Sequence, residues 1–304
     1  MSSFDLQVNG YGGIDFNQDN LTAEDLQRSL QRLEADGVTG ILATIITEEI
    51  GKMEGRIRRL AELRESTPLA KRMIAGIHIE GPFISPKEGY RGAHPPDAIR
   101  PAEVDLMKRL LDAGSGLVRL VTLAPEQDPS AHVTRFLATQ KVTISAGHTE
   151  ASMDQLKMSL DAGLEMFTHL GNGCPGLLPR HDNIIQRALF LRDQLWICLI
   201  GDGVHIPFPT LRNMLDLIGN DGKVIFTTDC ISAAGLGPGR YQLARWDLVI
   251  GEDLAARSPD GSHLVGSAVS MPRVIDNLQN KVGLSLETIQ KMIDVNPRKA
   301  LKLK

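Results

Sequence analysis

Two hydrophobic patterns take turns along the chain. Short apolar runs of strand length, such as DLQVN at 5–9 and VTGILATII at 38–46, are each followed by a stretch with helical spacing. In the first such stretch Leu21, Leu26, Leu30 and Leu33 keep a helical period, Thr22 and Asp25 stand where a capping box would, and Gly37 ends it. Further strands are predicted in MIAGIHIEG from Met73, LVRLVTLAP from Leu117, a run from Lys141 ending in His148, one ending in His169, WICLIGD from Trp196 and KVIFTTD from Lys223. Helices are predicted near 49–65, 102–113, 131–139, between His148 and His169, and near 184–191 and 210–218.

Eight β-then-α units in sequence predict an α/β fold, a (β/α)8 barrel of the TIM type, in preference to an open doubly wound sheet. Uninterrupted apolar strands such as 38–46 suit a parallel sheet covered on both faces. No G-x-G-x-x-G follows any strand. From 240 to 267 the pattern changes to short strands with an Asp260-Gly261 turn, read as a β-hairpin inserted after the eighth strand. Helices near 271–278 and 286–293 complete a chain read as one catalytic barrel domain over 1–304.

Hydrophobic and charged contents of 42% and 23% are those of a soluble globular protein, and a net charge of −4 offers no basic field for nucleic acid. No apolar run approaches the roughly 20 residues of a spanning helix, and the N-terminus lacks a signal-peptide pattern, so neither a membrane nor a secretory role is expected. Cys174, Cys198 and Cys230 are odd in number and form no CxxC pair, which fits a reducing, cytoplasmic compartment.

A parallel barrel gathers its strand ends on one rim, where the chemistry of such folds sits. The predicted rim carries Gln7 and Asn9, Glu80, His148, His169, Asp202 with His205 just beyond, and Asp229. One carboxylate and two imidazoles on different strand tips suit a divalent metal, Zn²⁺ first, bound by Glu80, His148 and His169 with a position left for water. Asp229 is the preferred general base. Asp202 competes, although Asp202-Gly203 reads as a turn that presents His205. The loop at 81–101, rich in Gly and Pro, is long enough to be functional and carries Lys87, Arg91 and His94. In the loop after His169, backbone amides at Asn172 and Gly173 followed by Arg180 are of the kind that cradles an anion.

The motifs DLQVNGYGG at 5–13, HIEGPF at 78–83, RGAH at 91–94, AGHTEA at 146–151, THLGN at 168–172, DGVH at 202–205, TTD at 227–229 and DGSHLVGS at 260–267 resemble, in this order, those of the N-acetylglucosamine-6-phosphate deacetylases of the amidohydrolase superfamily. The resemblance implies Glu80, His148 and His169 as metal ligands. It also implies Asp229 as proton carrier between water and leaving amine, and His94 as an aid in polarising the acetamide carbonyl. Asn172, Gly173, Arg180 and His205 match positions that hold the sugar phosphate, and in some relatives that arginine comes from the neighbouring subunit, which implies a homodimer. The small-molecule partner expected is therefore an amino-sugar phosphate.

Three departures accompany the resemblance. Gln7 and Asn9 stand where most of the superfamily has His-x-His, so a single metal ion is expected. The chain begins inside the first barrel strand and stops at NPRKALKLK, so the family's small β-sandwich is expected to be absent. The loop THLGNGCPGLLPR stands where the family has THL, an aromatic and N-A-M-P; losing an aromatic and a Met for glycines is expected to widen or loosen the pocket, and with it to change the substrate. Rival readings are hydrolysis of another N-acyl sugar or a cyclic amide, and a non-catalytic sugar-phosphate binder.

Overall fold

Eight strands hydrogen-bond side by side in chain order, every neighbouring pair parallel: β1 (Ser3–Val8), β2 (Val38–Ile46), β3 (Ile74–Glu80), β4 (Val118–Leu123), β5 (Thr143–Ala146), β6 (Met166–Phe167), β7 (Trp196–Ile200) and β8 (Val224–Thr227). A parallel bridge between Val8 and Cys230 brings the last strand back to the first, reinforced by Asn9 N–H donating to Cys230 O at 2.8 Å. The sheet is thus a nearly closed barrel, as the alternation of patterns predicts. The computed structural model describes residues 1–219, 222–243, 246–261 and 264–303. Ser262 and His263 of the motif at 260–267, Ala244 and Arg245 of the expected hairpin, and Lys304 of the closing NPRKALKLK lie outside the described residues.

Helices α1 (Ala23–Ala35), α2 (Ile50–Arg64), α3 (Pro68–Met73), α4 (Val104–Ala113), α5 (His132–Thr139), α6 (Met153–Asp161), α7 (Ile184–Phe190) and α8 (Phe208–Ile218) surround the strands. Their apolar faces, such as Leu26, Leu30 and Leu33 of α1 and Met53, Ile57 and Leu60 of α2, are buried in the core that also holds β2 and β3. Side-chain caps set where several begin. Thr22 Oγ1 accepts from Asp25 N–H at 3.1 Å, and Ser152 with Gln155 forms a reciprocal box at the start of α6. The short α3 escapes the periodicity because its start is written by Thr67 as cap and Pro68 in the first turn rather than by an apolar stripe.

Beyond the barrel, the expected hairpin is a three-stranded antiparallel sheet: β9 (Gly239–Leu243), β10 (Trp246–Ile250) and β11 (Ala256–Arg257), extended by an Arg257–Leu264 bridge across the Asp260-Gly261 turn. Leu243, Leu248 and Ile250 pack with Ile46 and Ile231, which pins this sheet to the barrel rim. Helix α9 (Met271–Asn277) follows, and the stretch expected near 286–293 is α10 (Leu286–Gln290), a wider turn over Lys291–Val295, and α11 (Asn296–Ala300). Pro297 has no N–H to continue an α-helical ladder there.

Leu30 has no solvent exposure and faces the barrel from α1. Leu30→Ala is expected to cost about 2–5 kcal/mol, read as a lower denaturant midpoint at unchanged slope. A loss below about 1 kcal/mol would contradict the packing described.

Candidate functional site

The sequence predicts strands running up to His148 and His169, but β5 stops at Ala146 and β6 at Phe167. His148, His169 and Asp229 each lie two residues past a strand end, and all three adopt left-handed backbone, with φ of 51°, 32° and 50°. That conformation is disfavoured for residues with a Cβ and persists where surroundings over-determine it. Here they do. His148 O accepts from Ser85 N–H at 2.9 Å, His169 O from Asn172 N–H at 2.9 Å, and Asp229 O from Ser267 N–H at 3.0 Å. Glu126, a residue the sequence does not single out, fastens the segment after His148. Its carboxylate accepts from Thr149 Oγ1 and, at 2.9 Å, from Glu150 N–H.

Glu80, at the tip of β3, is the centre of the cluster. Its Oε1 lies 2.9 Å from His169 Nε2 and 3.3 Å from His148 Nε2, and its Oε2 accepts from Gln7 Nε2 at 3.0 Å. One ligand atom from each of Glu80, His148 and His169 falls within 4.8 Å of the others, and all three side chains are buried. Tyr90 O, 2.9 Å from His148 Nδ1, takes the proton of that nitrogen and leaves the Nε2 lone pair for the centre. His94 joins from the loop at 81–101, with Nε2 3.2 Å from His148 Nε2. Two imidazoles and a carboxylate converging at one buried point, one imidazole fixed in tautomer by a backbone carbonyl, are a donor set that fits a divalent cation.

Burial would raise Glu80, but the hydrogen bonds and charges of His148 and His169 outweigh it and hold its carboxyl well below the usual range. Burial would likewise lower His169, yet Glu80 keeps it above its ordinary 6.5. Asp229 shows the reverse: burial, then the charge of Glu80, pushes it up to about 7. Asn9 Nδ2 donates to Asp229 Oδ1 at 2.8 Å, leaving Oδ2 clear of that contact. His94 is driven down to about 3 by burial and by neighbouring His148, so it stays neutral.

These groups line a cavity of about 820 Å³. Asn172, Gly173 and His205 lie on its wall, as does Arg91, while Ile46, Leu243, Trp246 and Leu264 form an apolar stretch. Asp202 Oδ2 lies 2.6 Å from His205 Nδ1, and its Oδ1 accepts from the N–H groups of Val204 and His205 at 2.9 Å each. Asp202 therefore serves the turn that presents His205. Lys87 is paired with Glu150.

Arg180 is not brought to this cavity. It is exposed and is not among the lining residues, although the same loop reaches the cavity as far as Leu177. Of the two amides expected to cradle an anion, that of Asn172 is already spent on His169 O. Gln7 and Asn9, read from sequence only as poor ligands, have a direct part as amide donors to the two site carboxylates. Their alternation on one strand face was the available signal.

Comparison with known proteins adds an independent line. The chain is 32% identical over 299 residues to the N-acetylglucosamine-6-phosphate deacetylase of Bacillus subtilis (strain 168), a match spanning 98% of this chain and 74% of that protein. It is 27% identical over 299 residues to the N-acetylgalactosamine-6-phosphate deacetylase of Escherichia coli O157:H7, spanning 98% and 76%. The structure of a variant N-acetyl-D-glucosamine-6-phosphate deacetylase from Mycobacterium smegmatis, in complex with N-acetyl-D-glucosamine-6-phosphate, matches with a TM-score of 0.90 at 29% identity, covering 99% of this chain and 77% of that one. No protein-family model matches the chain.

Metal uptake at such a centre must displace protons from the imidazoles. Because Glu80 raises His169, protonation competes increasingly as pH falls through that raised value, so affinity for a divalent ion is expected to weaken toward acid and strengthen toward pH 8 or so. A chelator-competition titration at several pH values checks this, and pH-independent affinity would contradict it. Gly173 sits at φ 59°, where a Cβ would come within 2.8 Å of His148 Nδ1. Gly173→Ala is expected to lower metal affinity about tenfold or more while the melting temperature stays near wild type.

Proposed function

Because the chain belongs to the N-acetylglucosamine-6-phosphate deacetylase family, we propose that it hydrolyses the acetamide of N-acetylglucosamine 6-phosphate, releasing acetate and glucosamine 6-phosphate. It is a metal-dependent amidohydrolase. The observation that carries the reading is the buried Glu80–His148–His169 centre opening on the same cavity as Asp229.

When bound at that centre, a divalent ion, Zn²⁺ in this proposal, supplies Lewis-acid polarisation of the carbonyl and a lowered water pKa. The chain's own groups do the rest. Asp229 takes a proton from the attacking water at Oδ2, its Oδ1 being engaged by Asn9, and returns that proton to the amine nitrogen as the C–N bond breaks. His94, kept neutral by burial, donates its Nε2 proton toward the acetamide oxygen as negative charge gathers there. His205, oriented by Asp202, and Asn172 with Gly173 hold the phosphate end. Gln7, by donating to Glu80 Oε2, occupies the side of that carboxylate from which a second ion would be bound, which favours a mononuclear centre.

Arg180 enters this proposal from the other copy of a homodimer, since in its own chain it is exposed and does not line the cavity. Residues 1–304 act as one catalytic barrel unit, with the small sheet of β9, β10 and β11 as an insertion at its mouth. No helix among the described residues is long and apolar enough to cross a membrane. The amino-sugar phosphate of the cytoplasm is the substrate this reading favours, and Gly171 and Gly173 stand on the cavity wall where its sugar would lie.

Acetate release from N-acetylglucosamine 6-phosphate and from its galacto epimer tests the reading. Asp229→Asn is expected to lower kcat by about 10²- to 10⁴-fold with metal retained. A fully metal-loaded wild type that cleaves neither sugar would overturn the assignment. Since Asp229 must be ionised to act, kcat/KM is expected to fall as pH drops through about 7 or somewhat below, a cation beside Glu80 offsetting part of the upward push. Mixing Arg180→Ala with Asp229→Asn protomers should restore activity if the arginine works across the dimer, and inert mixtures would exclude that arrangement.

A further inference from the structure

One buried carboxylate plays no part in the steps above. Asp5, on β1, has 1% of its surface exposed, and its oxygens meet only hydroxyls and amides. Its Oδ1 accepts from Thr227 Oγ1 at 2.5 Å, from Gln7 N–H at 3.2 Å and from Thr228 N–H at 3.2 Å. Its Oδ2 accepts from Thr228 Oγ1 at 2.6 Å and shares the Thr228 N–H at 3.3 Å. A carboxylate without a cation in the interior is costly unless every lone pair is used. Leucine would fill the space between two strands at far lower cost, so the position calls for another explanation.

The contacts of Asp5 go to both halves of the reacting machinery. Thr228 Oγ1, while donating to Asp5, accepts from Cys230 N–H at 3.1 Å, so the clamp spans the left-handed residue Asp229 from one flank to the other. On its own strand, Asp5 holds the N–H of Gln7 within an irregular step in the pairing of β1 with β2 between Asp5 and Val8. Gln7 then reaches Glu80 Oε2, and two residues further Asn9 reaches Asp229 Oδ1. Asparagine in place of Asp5 would present an NH₂ where an acceptor is needed. With the amide oxygen kept at the Oδ1 position, the NH₂ falls where Oδ2 stood: Thr228 Oγ1 could turn to suit it, whereas the Thr228 N–H, shared between the two oxygens, would keep one acceptor and face a donor at the other.

We propose that Asp5 is a positioning residue, which fixes Asp229 and the amide partner of Glu80 relative to each other across the seam where the barrel closes. The inference rests on the deacetylase reading for the role of Asp229. It assigns Asp5 no contact with substrate or metal, and it places the precision of the site in the β1–β8 seam rather than in the loops above it.

The test compares wild type, Asp5→Asn, Thr228→Val and the double variant for metal content, melting temperature, KM and kcat, and for the visible spectrum of the Co²⁺-loaded forms. Asp5→Asn is expected to keep its metal and a KM within about threefold, while kcat falls by about 10- to 100-fold, the loss typical of a reacting group displaced by an ångström or less. Thr228→Val should lower kcat in the same manner, and the double variant should be no worse than Asp5→Asn alone because both cut one path. A folded Asp5→Asn with kcat within about twofold of wild type, or additive losses in the double, would overturn the proposal. If Asp5→Asn does not fold, Thr228→Val decides by the same criterion: an unchanged kcat overturns it. If wild type hydrolyses neither sugar, the deacetylase reading fails separately. The Co²⁺ spectra then decide the clamp, altered bands in Asp5→Asn supporting it and identical bands overturning it.

Discussion

The structure depends on the sharing of one buried carboxylate. Glu80 gives one oxygen to two imidazoles and the other to an amide, and only 3% of its surface is exposed. A carboxylate so placed is tolerable only if its partners stay within hydrogen-bond distance. Those partners come from β1, from the end of β5 and from the end of β6, segments separated by up to 162 residues, as between Gln7 and His169. Closing the barrel is therefore also what assembles the site. The left-handed turns at His148 and His169 are the local cost of aiming both rings at one point, offset by the backbone contacts that hold them.

The same logic runs down into the barrel and up into the loops. Below Glu80, His78 bonds to Thr44 and Thr122, and a chain of hydroxyls continues to Thr168 and Ser145, so the layer under the site is polar and fully paired rather than aliphatic. Burial holds His78 neutral, at about 4, which keeps further charge out of that layer. Above, Gly92 and Gly173 both approach the His148 ring around Nδ1, closely enough that a Cβ at either would crowd it, so the two long loops are fitted to the imidazole itself. A carboxylate raised by burial and a carboxylate lowered by imidazoles line one cavity, which in the proposed mechanism separates proton transfer from cation binding.

Much of this was legible in the residues. The eight-unit alternation was visible because period-two and period-3.6 patterning responds to burial, and burial in a barrel is nearly the same for every unit. Glu80, His148, His169 and Asp229 were visible because strand tips in such a fold share a rim. What escaped depends on geometry that no pattern encodes. The left-handed steps at His148, His169 and Asp229 look like ordinary strand ends in sequence. Glu126 and Asp5 are singled out by no pattern, and only the folded chain shows their hydroxyl and amide partners. Arg180 follows His169 closely in sequence, yet it is exposed and does not line the cavity of its own chain, a placement that depends on the path of the loop rather than on spacing. The small sheet gained a third strand because Ala256 and Arg257 pair with Ile250 and Val249, a contact between residues that periodicity treats separately.

In the proposed centre a single divalent cation is bound by Glu80, His148 and His169, with Gln7 and Asn9 acting as hydrogen-bond donors to carboxylates and not as ligands. X-ray absorption spectroscopy on the metal-loaded protein, combined with metal quantification, measures this most directly. The account predicts one ion per chain, two imidazole nitrogens and a carboxylate oxygen in its protein shell, with metal–nitrogen and metal–oxygen distances near 2.0–2.2 Å. Two ions per chain at a metal–metal distance of about 3.5–4 Å, or a shell lacking imidazole, would contradict it.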